Sequence, residues 1–321
     1  MAATAIWLVP TIGVGLGIWL IITNWPSLLG LLLAAPLFLL AYLLRPRLGR
    51  LPKHAATVSR GEAPTLFGVI DDIADELDAP PVEVIVVSNR FNASIARVGA
   101  RRRLVLEIGL PFWTLLSPKQ RVALLAHELA HEVNGDPRRG LFVWGAANML
   151  NVWHRLLTPP EERATWGLGE LVAKVFMSAL AGTVGVARDG FVALGLRSGL
   201  RAEYLADLAA TQIAGTNALE ELLDTTLLDD TVTRILHRGH RDNIDGSQIW
   251  AHLRSKIEAI PDHERVRLRV VAQRRHHRTD DSHPPTTFRI RLLELVDHEP
   301  TIRISSDDSQ RIDHELTPNP N

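Results

Sequence analysis

The chain has no cysteine, no surplus of either charge, no Gly-rich phosphate loop, no dinucleotide fingerprint and no internal repeat of solenoid period. Without cysteine there is no disulfide framework, thiolate zinc site, iron–sulfur cluster or thiol nucleophile. Any metal must therefore be held by histidine or carboxylate. Lys and Arg number 35 against 36 Asp and Glu, a formal net charge of −1. That balance argues against a nucleic-acid partner, whose phosphates demand a basic surface. What the chain does have is apolar residues, 46% of 321. This length suffices for one large domain or two small ones with a real core. The mean hydropathy of +0.06 is too low for a polytopic transporter and high for a soluble enzyme, so the apolar residues should be concentrated.

They are concentrated at the N-terminus. No charged residue occurs from Ile6 to Ile22 or from Leu28 to Leu44, and each run is near the length that crosses a bilayer core. Thr23-Asn24-Trp25-Pro26-Ser27 links them and suits a tight helical hairpin. A cleaved leader fits poorly, because no Lys or Arg precedes the first run and a second run follows at once. Arg45, Arg47, Arg50 and Lys53 follow the hairpin, which by the positive-inside rule puts both of its ends in the cytoplasm. Trp7, Trp25 and Tyr42 stand where membrane interfaces would lie. A weaker pair, Leu141–Leu157 and Leu171–Ala187, carries Asn148, Asn151, His154 and Lys174, with Arg138, Arg139 and Arg188 on its flanks. It reads either as a second membrane hairpin or as interfacial or buried helices.

The remainder reads as globular and α+β, mainly helical. Leu66, Val69, Ile70, Ile73, Ala74 and Leu77 recur at helical spacing up to Pro80-Pro81. Val82–Val87, Asn92–Val98 and Leu104–Ile108 read as strands. Ser117-Pro118-Lys119-Gln120 is a helix start with an N-cap Ser, Pro at the first helical position and Gln at the capping-box position; that helix should run to about Val133. Further helices are expected near 199–214, 217–228, 248–258, 262–276 and 286–296. The sequence divides into a membrane hairpin (1–53), a catalytic domain (54–296) and a polar tail (297–321) expected to be largely disordered.

The chemistry lies in His127-Glu128-Leu129-Ala130-His131. Two histidines at i and i+4 share one helix face, so both imidazoles reach one ion, and Glu128 projects beside them to take a proton from an activated water. Val122, Leu124, Leu125 and Leu129 line this helix, where two histidines and a glutamate without a metal would be costly to bury. A hydrolytic zinc site needs three protein ligands and one open position. Asn134 and Pro137 stand where the metzincin pattern requires Gly and His, which excludes that class. Glu203 is the favoured third ligand, with Asp207 one turn on to accept a hydrogen bond from a ligand histidine. Glu220 and Asp224 repeat the spacing on what reads as a solvated face. The basic stretch Arg265, Arg267, Arg269, Arg274, Arg275 and Arg278 also reads as a solvated face, the alternative being contact with anionic headgroups.

At these motifs the sequence resembles the HtpX-like membrane zinc metalloproteases, a family that includes the CAAX prenyl endopeptidases. The resemblance runs from the hairpin to about residue 295. It rests on His127-Glu128-Leu129-Ala130-His131 followed by Asn134-Gly135-Asp136, on Glu203-Tyr204-Leu205-Ala206-Asp207, on Ser282-His283-Pro284-Pro285 with Arg289, and more loosely on Phe91-Asn92-Ala93-Ser94. It implies a gluzincin-type domain holding one zinc ion on His127, His131 and Glu203, with Asp136 and Asp207 behind the ligands. His283 and Arg289 would bind the substrate backbone and stabilise the developing oxyanion. Asn92 and Ala93 would lie on an edge strand to which an extended substrate adds. Misfolded or membrane polypeptides are the implied substrates, the lipid bilayer the other partner, and a multi-pass cell-membrane protein with a cytoplasmic site the implied setting. The alternatives are a maturation protease for a specific peptide and a non-catalytic zinc-containing membrane scaffold.

Overall fold

The computed structural model describes residues 2–45, 51, 55–99, 101–134, 141–158, 168–246, 248–274 and 284–316. In chain order it contains α1 (Ala2–Thr23), α2 (Leu28–Leu44), β1 (Ala56–Val58), α3 (Pro64–Glu76), β2 (Val84–Ser88), β3 (Ala93–Val98), β4 (Arg103–Gly109) and α4 (Leu110–Trp113). These are followed by α5 (Pro118–Val133), α6 (Leu141–Leu157), α7 (Leu168–Ala214), α8 (Thr216–Thr226), α9 (Asp229–Arg241) and α10 (Ile249–Glu258). The last three are α11 (Asp262–Arg274), α12 (Thr286–Leu293) and α13 (Ser306–Leu316). The fold is α+β and mainly helical.

Two compact units result, and they interleave along the chain. One comprises Met1–Leu48 and Pro137–Ser198, the other Gly49–Asp136 and Gly199–Asn321. The division thus differs from the sequence-based one: 137–198 groups with the N-terminal hairpin, and the tail groups with His127, His131 and Glu203. Helix α7 begins in the first unit and ends in the second.

In the first unit, Ala3–Thr23 of α1 and Leu171–Ala193 of α7 are each long and apolar enough to cross a membrane, while α2 is shorter. Leu8, Ile12, Ile18 and Leu32 are exposed, as expected of surfaces that water would not solvate well. Helix α6 buries Met149, Leu150, Val152 and Trp153 against Ile6, Trp7, Leu44, Val184 and Phe191. The Trp153 indole N–H donates to the Leu44 carbonyl at 3.1 Å. His154 lies against α7 at Gly185, where a Cβ would come 3.3 Å from its ring, so this polar residue faces protein.

The second unit is built on a four-stranded mixed sheet of order β1-β2-β4-β3. Strand β2 runs parallel to β4, and β1 and β3 are antiparallel edges. Strand β3 pairs Ala93 with Ile108 and Ile95 with Leu106. Helix α3 starts with Pro at its first turn and buries Leu66, Phe67, Ile70, Ile73 and Ala74, one helical stripe. Gly109 ends β4 beneath the chain entering β3: a Cβ there would fall on the Arg90 carbonyl oxygen, so only glycine permits this approach. Helix α5 opens on its expected cap, with the Ser117 N–H donating to Gln120 Oε1 at 2.8 Å. Every residue from Gln120 to His131 is buried, which makes α5 the axis of the unit.

The polar tail is ordered through Leu316, contrary to the sequence expectation. Ile304, Ile312 and Leu316 join the main core. Glu315 accepts from the N–H groups of Thr65 and Leu66 at 2.9 Å each, and so caps α3, whose own N-cap position is Ala63 with no side-chain bond. Residues 317–321 lie outside the described set.

Candidate active site

Helices α5, α7 and α12 bring the site together. On α5, His127 and His131 stand one turn apart with ring centroids 4.8 Å apart and planes perpendicular. Their Nε2 atoms are 3.2 Å apart. From α7, Glu203 places Oε2 3.6 Å from His127 Nε2 and Oε1 3.6 Å from His131 Nε2. All three side chains are buried. Among the described residues they form the one group of ligand atoms placed to hold a metal ion.

The residues present fit such an ion. A tetrahedral zinc with ligand bonds of about 2.0–2.1 Å sets its ligand atoms roughly 3.3 Å apart, and the observed triangle is 3.2, 3.6 and 3.6 Å. Two imidazoles and one carboxylate leave one position for water or substrate. The electrostatics agree. Burial pushes the His127 imidazolium down, but the Asp207 and Glu203 carboxylates more than reverse this and raise its pKa to about 9. Carboxylates that draw a proton so strongly also draw a cation.

Behind His127 stands a buried relay. Its Nδ1 lies 3.0 Å from Asp207 Oδ1, and Asp207, fully shielded from solvent, accepts both arms of the Arg289 fork. The Nε–Oδ2 distance is 2.7 Å and the Nη2–Oδ1 distance 2.6 Å. Burial pushes the Asp207 carboxyl up, yet Arg289 and His127 outweigh it and hold it below the usual carboxylate range. Arg289 therefore sits elsewhere than the resemblance implied. It is buried with its fork closed on Asp207, and its Nη1 is 3.9 Å from Glu203 Oε2; it does not present a free fork to a substrate.

Glu128 is buried beside the cluster and accepts from the Ile95 N–H of β3 at 3.1 Å. One turn on, Glu132 receives Arg97 Nε at 2.9 Å. The two residues expected to hold substrate differ in what they offer. The Asn92 carbonyl points into the sheet, where it accepts from Gly109 N–H at 2.9 Å, whereas Ala93 belongs to the alternate, outward set. The Glu220/Asp224 pair stays away from the cluster, Asp224 being engaged by Arg269. Of the basic stretch, Arg267 pairs with Glu264 and Arg269 with Asp224 on exposed positions. Asp136, His283, Arg275 and Arg278 lie outside the described residues.

The structure brings together His127, His131, Glu203, Glu128 and Asp207, the residues that sequence reasoning singled out. Sequence reasoning missed the Ile95 N–H, which has no sequence mark, and the target of Arg289. The signal for the latter was a carboxylate and a guanidinium that would both need a partner once buried.

This arrangement is the ligand pattern of the metal-dependent hydrolases of the H-E-x-x-H type. The chain belongs to peptidase family M48, which it matches over residues 62–296. It is also similar to Protease HtpX homolog 2 of Methanosarcina mazei, 33% identical over 82 residues. That stretch is 26% of this chain and 28% of the relative, so the match spans little more than a quarter of the relative's length.

Proposed function

We propose that the protein is a membrane-anchored zinc endopeptidase, multi-pass, with its site on the cytoplasmic side, acting on misfolded or damaged membrane polypeptides. The observation that carries the catalytic part is the triangle of His127, His131 and Glu203 with Glu128 buried beside it. A purely structural metal site has no use for that extra acid. The apolar helices and the positive flank after α2 support the setting. The quality-control role follows from the motif resemblance to the HtpX-like proteases, with which the likeness to a protease named as an HtpX homologue agrees.

His127, His131 and Glu203 would hold the zinc, which when bound polarises water and the scissile carbonyl. Asp207 holds His127 in the tautomer that leaves Nε2 a lone pair, and Arg289 holds Asp207. An extended substrate adds to the open edge of β3 through Ala93. Glu128 accepts a proton as water attacks the carbonyl carbon, and passes that proton to the amine as the C–N bond breaks. His283 and Asp136 keep their family-implied roles, oxyanion stabilisation and ligand support.

The test is cleavage of an unfolded model protein by the purified, metal-stripped chain before and after zinc is added, beside Glu128→Gln. Zinc should restore cleavage to the native chain alone, while the variant binds zinc stoichiometrically. Cleavage by Glu128→Gln would overturn the assignment of the base. A native chain that binds zinc and never cleaves would favour the scaffold.

A further inference from the structure

We infer that the backbone N–H of Ile95 is the positioning group for Glu128, so that one edge of β3 both sets the proton-transferring carboxylate and receives the substrate. The inference rests on the reading of Glu128 as the base.

Strand β3 is an antiparallel edge strand, and its backbone groups alternate. Consecutive residues turn their backbone groups alternately into the ladder and out of it. Asn92 turns inward, because its carbonyl accepts from Gly109 N–H. Ile95 turns outward, because its N–H goes to Glu128 Oε2 at 3.1 Å. Residues 93, 95 and 97 therefore line the free edge. Their spacing suits the helix opposite: four residues of α5 rise about 6 Å, and two residues of a strand span about 6.7 Å. Glu128 meets Ile95, and Glu132 meets Arg97 at 2.9 Å, so β3 is pinned to α5 at two matched points.

A glutamate carboxylate turns freely about its last torsion. A charge-assisted N–H bond to Oε2 stops that rotation, while the carboxylate's other oxygen takes and returns the proton. The Ile95 side chain is itself buried in the core, so the strand that offers the N–H is anchored from below. A substrate strand cannot use this N–H and must pair on the neighbouring outward groups. That places the scissile bond against the carboxylate that Ile95 holds.

The test removes the N–H and little else. In the full-length zinc-loaded protein, Ile95 is replaced by its α-hydroxy acid analogue, turning the amide into an ester with the same side chain. A second comparison sets Ile95→Pro against Ile95→Ala. Both lose the side chain, only proline loses the N–H, and an edge position outside the ladder accepts proline. We expect kcat to fall about tenfold or more in the ester chain and in Pro relative to Ala, because small displacements of a catalytic group cost that much. KM should stay within about twofold, and zinc per chain and the thermal midpoint should not move. Unchanged kcat in the ester chain, or equal kcat for Pro and Ala, overturns the inference. So does a loss of kcat matched by loss of zinc and of the midpoint, which would make the contact merely structural. If the native chain itself shows no zinc-dependent cleavage, the reading of Glu128 falls first and takes the inference with it.

Discussion

Asp207 joins two groups from different helices: it holds His127 Nδ1 on one side and the Arg289 fork on the other, all three out of water. Removing its charge with Asp207→Asn leaves a buried guanidinium whose nearest remaining anion is the ligand Glu203, 3.9 Å from Nη1. Breaking one side of a buried ion pair typically costs about 3–5 kcal/mol, and losing the group behind a metal-bound histidine weakens metal binding about 10–100-fold. Asp207→Asn should therefore lower both the unfolding midpoint and zinc affinity, the latter read by competition with a chelator. Normal zinc affinity would remove Asp207 from the relay. The residues at i and i+4 were legible in the sequence because helical spacing converts directly into proximity. The Arg289–Asp207 contact was not, since 82 positions separate the partners and nothing local says which way a guanidinium turns.

At the scale of elements, Gly109 shows how one backbone position sets the course of the chain into β3. The Arg90–Asn92 segment passes over the end of β4 so closely that a Cβ at 109 would strike the Arg90 carbonyl. Gly109→Ala must push this segment aside and tilt the start of β3. We expect cleavage to fall more than tenfold while zinc binding, proposed for α5 and α7, is retained; metal analysis beside kinetics separates the two. The apolar hairpin yields a different prediction. Because the chain lacks cysteine, a single introduced thiol reports sidedness cleanly. A membrane-impermeant maleimide should label Ser27→Cys in intact cells and Ser255→Cys only after permeabilisation; the reverse pattern would overturn the cytoplasmic site. Elements with a strong period or a cap, such as α3 and α5, were legible. Strand β1 and helix α9 were not. The former has three residues, and the latter buries only Val232 and Gly239 outright among charged neighbours, so its stripe was hidden by composition.

For the whole molecule, the segment beyond the family match is packed into the unit that carries the candidate site. The match ends at residue 296, and polarity alone made the rest look disordered. What sequence polarity hid is that α13 presents an apolar stripe, Ile312 and Leu316, to the core while its acids find partners across the fold. Arg121 of α5, itself buried, donates to the Ser309 hydroxyl at 2.7 Å and pairs with Asp313 at 2.8 Å. The Trp113 indole N–H reaches Asp313 at 3.2 Å, and Glu315 caps α3. Ending the chain at Val296 would uncover the core at Ile304, Ile312 and Leu316, uncap α3 and strand Arg121. Each large apolar side chain lost from a core costs about 2–5 kcal/mol, and a domain has only about 5–15 kcal/mol in all, so the truncated chain should not hold a folded catalytic unit. Graded variants keep the prediction measurable. Glu315→Ala should cost about 0.5–2 kcal/mol, the value of a helix cap, and Ile312→Ala about 2–5 kcal/mol. Both should lower the thermal midpoint of the purified protein in that order, with zinc stoichiometry intact in the folded fraction. A truncated chain with the native midpoint would show instead that the core closes without α13, and that the buried Arg121 finds its counter-charge elsewhere.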